Sequence, residues 1–283
     1  MESEYAPCPD VGIYRCLRAV GRAFDDYLVS ARSIYKGRLP QNCIERYMVL
    51  RPTSDAILRN DDNSIIDKLI GIMDKLEQYI LDNTKPEEEL MHRLERETYL
   101  RVINPRMISG HLQGKLLEML VRMMRPQRVL EIGTFTGYSA LSIARGLEDG
   151  AFLDTIEVDD ELEDMAAKYF EASEHGHRIR QHVGSALEVV PRLGECYDMV
   201  FIDGDKREYP AYYDMLMDGG YVHSGSILLA DNILWYGKVA EPVAHNDRHT
   251  EAIIEFNRRV RDDARVDNVI VPIRDGINII RVK

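Results

Sequence analysis

Five short strand-like stretches, bounded by apolar residues, punctuate the chain at 129–132, 153–158, 179–183, 199–202 and 227–230, and helix-length segments such as 138–147 and 161–173 separate them. No other feature restricts the fold so much. Strands spaced by helices run parallel, because each crossover carries the chain back along the sheet, and near-continuous apolar runs mean burial on both faces. The chain is therefore expected to be α/β, with helices on both faces of a mostly parallel sheet. The last runs differ: "VIVPI" and "INIIRV" are joined by Arg274-Asp275-Gly276, a tight-turn signal that predicts an antiparallel hairpin at the sheet edge.

Ahead of the alternation the pattern is helical. Thr84 and Glu87, with Pro86 between them, read as a capping box opening a helix through "EEELMHRLERETYL", and a further helical pattern runs over 110–124. Earlier still, Leu17, Val20, Phe24, Tyr27, Ala31 and Ile34 step by three and four along one helical stripe. Ile65, Leu69, Ile72, Leu76 and Tyr79 make a second, seam-like stripe, about two heptads long and too short to hold a coiled coil by itself. Residues 1–72 are thus expected to be a helical extension without chemistry of its own, and 73–283 the functional domain.

Charge and cysteines narrow the function. A formal net charge of -12 repels phosphate backbones and anionic lipid, which favours small neutral or cationic ligands. The four cysteines include no C-x-x-C pair, so reduced thiols are expected rather than a disulfide framework. The start "MESEYAPCPD" has neither the basic nor the apolar region of a signal peptide, and no apolar run nears the ~20 residues of a membrane helix. A cytoplasmic protein without membrane contact is the expectation.

The first strand runs into a glycine loop, "RVLEIGTFTGYSALSIARGL". In open α/β sheets the ligand crevice lies at the carboxyl ends of the strands, and glycine there permits close backbone approach. Gly133 and Gly137 are spaced G-x-x-x-G, not as a dinucleotide fingerprint, and no Gly-Lys-Ser/Thr follows. Glu131 at the strand end would repel a diphosphate and suit a sulfonium or an amino group. Glu157 ends the next strand at the distance where an acid takes ribose hydroxyls, so an adenosine-type cofactor is expected.

Two later strands also end on oxygen donors. The run 199–202 leads into Asp203, with Lys206 three residues on, and "SILLADNILW" breaks from an apolar run to Asp231-Asn232. Each alone reads better as a turn or cap, and it is the two matching strand ends with the lysine that reverse the reading. Gathered at one edge of a parallel sheet, three oxygen donors without His or Cys suit Mg²⁺ or a similar hard cation. Beside such a cation, like-charge repulsion would leave the Lys206 amine able to accept a proton. An acceptor hydroxyl held next to a cationic methyl donor would then be aligned for displacement.

With "NPRMISGHLQGKLLEML", the glycine loop, "FIDGDK", "LLADN" and "RDGINII", the chain resembles the cation-dependent O-methyltransferases of the catechol and caffeoyl-CoA type over residues from about 73 to 283. That resemblance implies a Rossmann-like methyltransferase fold with a seven-stranded sheet, and S-adenosylmethionine as cofactor. It places Glu131, Gly133, Thr134 and Ser139 around the methionine end, Glu157 on the ribose, Ala186 at the adenine, and Ser109 and Asp203 against the cofactor. It makes Asp203, Asp231 and Asn232 ligands of Mg²⁺, or of Ca²⁺ or Mn²⁺, and Lys206 the base. The implied acceptor is a phenolic or catechol-like small molecule, with a 5-hydroxyuridine in tRNA as the alternative that the negative charge disfavours; a homodimer is implied as well. Competing readings are a metal-dependent phosphotransferase using Asp203 as nucleophile, an NAD oxidoreductase, which lacks its glycine spacing, and an inert scaffold.

Overall fold

The alternation folds as it reads. The computed structural model describes residues 75–283, of which Leu81–Lys283 form one compact unit. The stripe in 12–36, the 65–72 part of the seam and the expected boundary at 72/73 lie outside the described residues. Leu76 and Tyr79 do not, and both are exposed on a helical stretch, 75–82.

Helices α1 (Glu89–Arg101) and α2 (Gly110–Met124) lead into the alternating part. There β1 (Arg128–Ile132), α3 (Tyr138–Gly146), β2 (Phe152–Glu157), α4 (Glu163–Ala172), β3 (Ile179–Val183), α5 (Ala186–Leu193), β4 (Tyr197–Ile202), α6 (Tyr209–Asp218) and β5 (Val222–Asp231) follow in turn. The chain closes with α7 (Arg248–Asp262), β6 (Val266–Val271) and β7 (Ile277–Val282). The seven strands form one sheet in the order β3-β2-β1-β4-β5-β7-β6. The first five run parallel, and β7 enters antiparallel between β5 and β6. Pro272 cannot donate to a ladder and stands just past β6, while Arg274 (φ 49°) and Gly276 (φ 84°) turn the chain back in left-handed conformations.

Strand alternation divides the core in two. Leu130, Ile132, Val200, Ile202, Leu228 and Ala230 point to one face and pack with Val190, Leu216 and Phe256 from α5, α6 and α7. Val129, Leu153, Met199, Phe201 and Leu229 point to the other, against Leu94, Leu117, Leu141 and Ala166 from α1, α2, α3 and α4. Each such side chain contributes roughly 1.5–3 kcal/mol by leaving water.

One local expectation fails. Helix α1 begins at Glu89, with Glu88 extended in the capping position and no side-chain cap. The Glu87 carboxylate instead accepts a hydrogen bond from the Tyr138 hydroxyl on α3. A long-range partner that ties the segment before α1 to α3 takes the Glu87 carboxylate in place of the local capping box. No helix among the described residues is long and apolar enough to cross a membrane.

Candidate active site at the carboxyl edge of the sheet

Register brings three carboxylates to one side of the sheet. Glu131 lies opposite Phe201, and Phe201 opposite Leu229. Asp203 and Asp231 each come two residues later, so alternation aims Glu131, Asp203 and Asp231 toward the face covered by α2 and α3. The Asp203 backbone N–H donates to Ile132 O at 2.8 Å, extending the ladder beyond the strand. A Cβ on Gly133 would stand 2.4 Å from the Asp203 carbonyl oxygen, and its φ of +104° is one few other residues tolerate. What demands glycine here is the contact between two strand tips. At Gly137 the demand is packing, since a Cβ would meet the Phe170 ring at 2.6 Å.

The lysine belongs to a closed network. Lys206 is buried, and its Nζ donates to Asp203 Oδ1 at 2.6 Å and to the Tyr209 hydroxyl at 2.7 Å. That hydroxyl in turn faces the carbonyls of Ile202 at 3.0 Å and Asp231 at 2.9 Å, so one phenol joins both strand tips. Burial pushes the Tyr209 phenol well above its usual range. Asp231 is 3% exposed; its Oδ2 accepts from Gln113 Nε2 of α2 at 2.5 Å and its Oδ1 from the Asn232 N–H at 2.8 Å. Asn232 turns away from the strand at φ 57°, a conformation asparagine adopts readily. Gln113 and Tyr209 are the residues that sequence reasoning missed. The available signals were a glutamine on the buried Leu117–Val121 stripe and a tyrosine one turn beyond the lysine.

Burial raises the Asp203 carboxyl to about 6; Lys206 opposes that shift and the neighbouring Asp231 charge adds to it. Asp203, with Lys206 on one oxygen, and the neighbouring Asp231, which is bonded to neutral donors, are together short of positive charge. Oxygen donors from Asp203, Asp231 and Asn232 fit a hard divalent cation on that count, with no His or Cys in the set to favour a softer metal. A separate group, Glu87, His92 and Glu95, also brings potential ligand atoms together, but it lies at the start of α1 and not at these strand tips.

The cofactor-loop residues form a second network. Thr155 Oγ1 donates to Glu131 Oε2 at 2.5 Å and lies 2.6 Å from Thr134 Oγ1. With its proton given to Glu131, Thr155 receives the Thr134 hydroxyl as donor. Glu131 is fully buried, and its Oε1 has no hydrogen-bond partner. Burial pushes it up to about 8, against the pull of the Ser139 and Thr155 hydroxyls. An orphaned carboxylate oxygen of this kind fits a cationic ligand, whose charge would offset the cost of desolvation. Glu157 accepts from the N–H groups of Phe135 at 2.7 Å, Val158 at 2.8 Å and Asp159 at 3.0 Å, which fixes it beneath the same loop. Ser109, just before α2, and Ala186, the first residue of α5, are buried but stand outside this hydrogen-bond network.

Comparison with known proteins bears on the fold and the family. A family profile described as O-methyltransferase matches residues 82–283. A caffeoyl-CoA O-methyltransferase of Petroselinum crispum is 31% identical over 221 residues, covering 74% of this chain and 90% of its own. The crystal structure of an O-methyltransferase from Bacillus cereus in complex with SAH superposes with a TM-score of 0.69 at 27% identity, covering 74% of this chain and 97% of that one. The O-methyltransferase TomG from Streptomyces achromogenes, involved in tomaymycin synthesis and solved in complex with SAM, gives 0.68 at 27% identity over 74% and 96%.

Proposed function

Because the chain belongs to the O-methyltransferase family, we propose that it transfers a methyl group from S-adenosylmethionine to a hydroxyl of a phenolic or catechol-like small molecule, with a divalent cation held by Asp203, Asp231 and Asn232. The observation that carries this reading is the buried Lys206 amine, 2.6 Å from one of two neighbouring strand-tip carboxylates. S-adenosylmethionine, when bound, supplies an electrophilic methyl group on a sulfonium. A cation such as Mg²⁺, when bound, supplies positive potential that favours ionisation of an acceptor hydroxyl.

The rest is the work of this chain. Glu131 Oε1, buried without a partner, accepts from the cationic end of the cofactor. Glu157 keeps lone pairs beyond its backbone bonds and takes the ribose hydroxyls. Ser109, Gly133, Thr134, Ser139 and Ala186 complete the cradle, and Asp203 borders both cofactor and cation. Lys206 takes the acceptor's proton at Nζ and holds it there, with Asp203 as counter-charge and Tyr209 fixing the position of the amine.

The test is incubation with S-adenosylmethionine and a panel of phenols, vicinal diols and tRNA carrying 5-hydroxyuridine, with Mg²⁺ or with EDTA. Mass spectrometry reads the addition of one methyl group. Methylation of a small acceptor that EDTA abolishes is the expected result. Methylation of tRNA alone would overturn the acceptor, and transfer indifferent to EDTA would overturn the cation.

A further inference from the structure

Gln113 is a polar residue where the fold calls for an apolar one. It shares the buried stripe of α2 with Leu117 and Val121, both in the apolar core, and is itself 1% exposed. Next to it Gly114 brings α2 tightly onto α3: a Cβ there would stand 2.5 Å from Ser142 Oγ and 2.8 Å from the Tyr138 ring. The close approach sets the position of Gln113 against the sheet. Its Nε2 donates to Asp231 Oδ2 at 2.5 Å, across 118 residues of sequence. Carboxylate oxygens only accept, so the amide nitrogen must be the end that faces Asp231. Its Oε1 is buried with no hydrogen-bond partner.

A leucine or methionine would fill this space without desolvating an amide, and an unpaired buried carbonyl is destabilising. Packing therefore does not account for the glutamine. We propose that Gln113 is a positioning residue for the cation site: its N–H fixes the Asp231 carboxylate, and its carbonyl accepts a hydrogen bond from a water on the cation. The proposal rests on the cation reading given above. Magnesium-like ions keep several waters, whose protons point outward and require acceptors. Both ends of one planar amide then serve the site, one through a ligand and one through the hydration shell, and outer partners of this kind orient the ligands they touch.

The experiment titrates the metal-free protein with Mn²⁺, reading free ion by electron paramagnetic resonance, for wild type, Gln113→Met and Gln113→Leu. Methionine keeps the volume and the unbranched shape, and leucine supplies a different apolar shape should methionine fail to fold. The melting temperature without ion and the affinity for S-adenosylmethionine without ion are measured alongside. Expected is a loss of Mn²⁺ affinity of roughly 10–100-fold in either variant, the range for outer-shell partners. Melting temperature should fall by no more than the single lost hydrogen bond to Asp231 accounts for, and ion-free cofactor affinity should not fall. Unchanged Mn²⁺ affinity would overturn the proposal, and so would a loss of affinity accompanied by an equal loss of stability, which marks a structural role. If wild type itself does not bind Mn²⁺, the cation reading fails first, and that outcome is distinct from the other two.

Discussion

Strand β4 has an aspartate near each end, and the two carboxylates live under opposite conditions. At the amino end Asp198 accepts from the backbone N–H groups of Gln127 at 2.7 Å and Arg128 at 2.9 Å, and from the His223 ring at 2.9 Å. Burial would raise its carboxyl, but those donors, Arg128 first, hold it below the ordinary range. At the carboxyl end burial prevails, and Asp203 rises to about 6 despite its lysine. Asp198 receives three donors on its two oxygens; Asp203 receives Lys206 on one oxygen and lies beside a second acid. A satisfied carboxylate stabilises a fold, whereas an under-compensated one is held in readiness for a ligand.

The largest effect that would break this contrast lies at the carboxyl end. Lys206→Ala should lower turnover by roughly 10²–10⁴-fold, the usual contribution of a positioned acid–base group. Calorimetric affinity for S-adenosylmethionine should stay the same, because in the proposed role the amine acts on the acceptor. Equal loss of turnover and affinity would remove Lys206 from its proton-handling role.

Glu131 sharpens the contrast through pH. Its folded pKa, about 8, lies above its unfolded value, so its contribution to stability is complete in acid and is lost as pH rises through 8. Glu131→Gln should therefore melt higher than the parent near pH 9, by up to a few kcal/mol, with the advantage shrinking toward about pH 5. The same variant should bind S-adenosylmethionine more weakly. A variant that is both less stable at alkaline pH and unchanged in affinity would show that Glu131 is a structural acid like Asp198.

A smaller effect isolates the strand-tip contact. Gly133→Ala adds a Cβ 2.4 Å from the Asp203 carbonyl at φ +104°, whereas Gly150→Ala adds one at φ +85° with nothing within 4 Å. Both should suffer backbone strain of about 1–3 kcal/mol, but only Gly133→Ala should also lower turnover per folded molecule. Equal behaviour in melting and in assay would mean that the Gly133 approach does not position Asp203.

These residues also show what sequence can and cannot reveal. Strands β4 and β5 were legible because burial on both faces leaves unbroken apolar runs, whereas β3, Ile-Arg-Gln-His-Val at the sheet edge, carries no such run; Asp203, Asp231 and Asn232 were legible because a polar residue directly after an apolar run stands out. The Thr84–Glu87 box misled because a local motif says nothing about Tyr138, the distant partner that takes the Glu87 carboxylate. Gly133 and Gly137 were legible as close approaches but not as approaches to Asp203 and Phe170, since a missing Cβ reads alike whether ligand or protein fills the space. Gln113 and Tyr209 stayed hidden for the same reason: their partners are set by how α2 and α6 dock on the sheet, which local periodicity does not encode.

The smallest effect tests the quiet end of β4. Asp198→Ala removes an acceptor from two backbone N–H groups and from His223, but the carboxylate is 34% exposed and water can replace part of what is lost. The expected cost is about 1 kcal/mol, with turnover per folded molecule unchanged. The sign with pH follows from the depressed carboxyl: its stabilisation is present above the unfolded value of about 3.9 and disappears as pH falls through the lower folded one. His223 behaves inversely, since the Ser224 carbonyl and then Asp198 raise it; its share is present in acid and is lost as pH climbs through the raised value. The melting deficit of Asp198→Ala should therefore be greatest at mildly acidic pH, smaller in alkali where the imidazole is neutral, and smallest in strong acid where the carboxyl is protonated. A deficit independent of pH would mean that Asp198 acts by packing alone, and the contrast between the two ends of the strand would then be one of burial and not of charge.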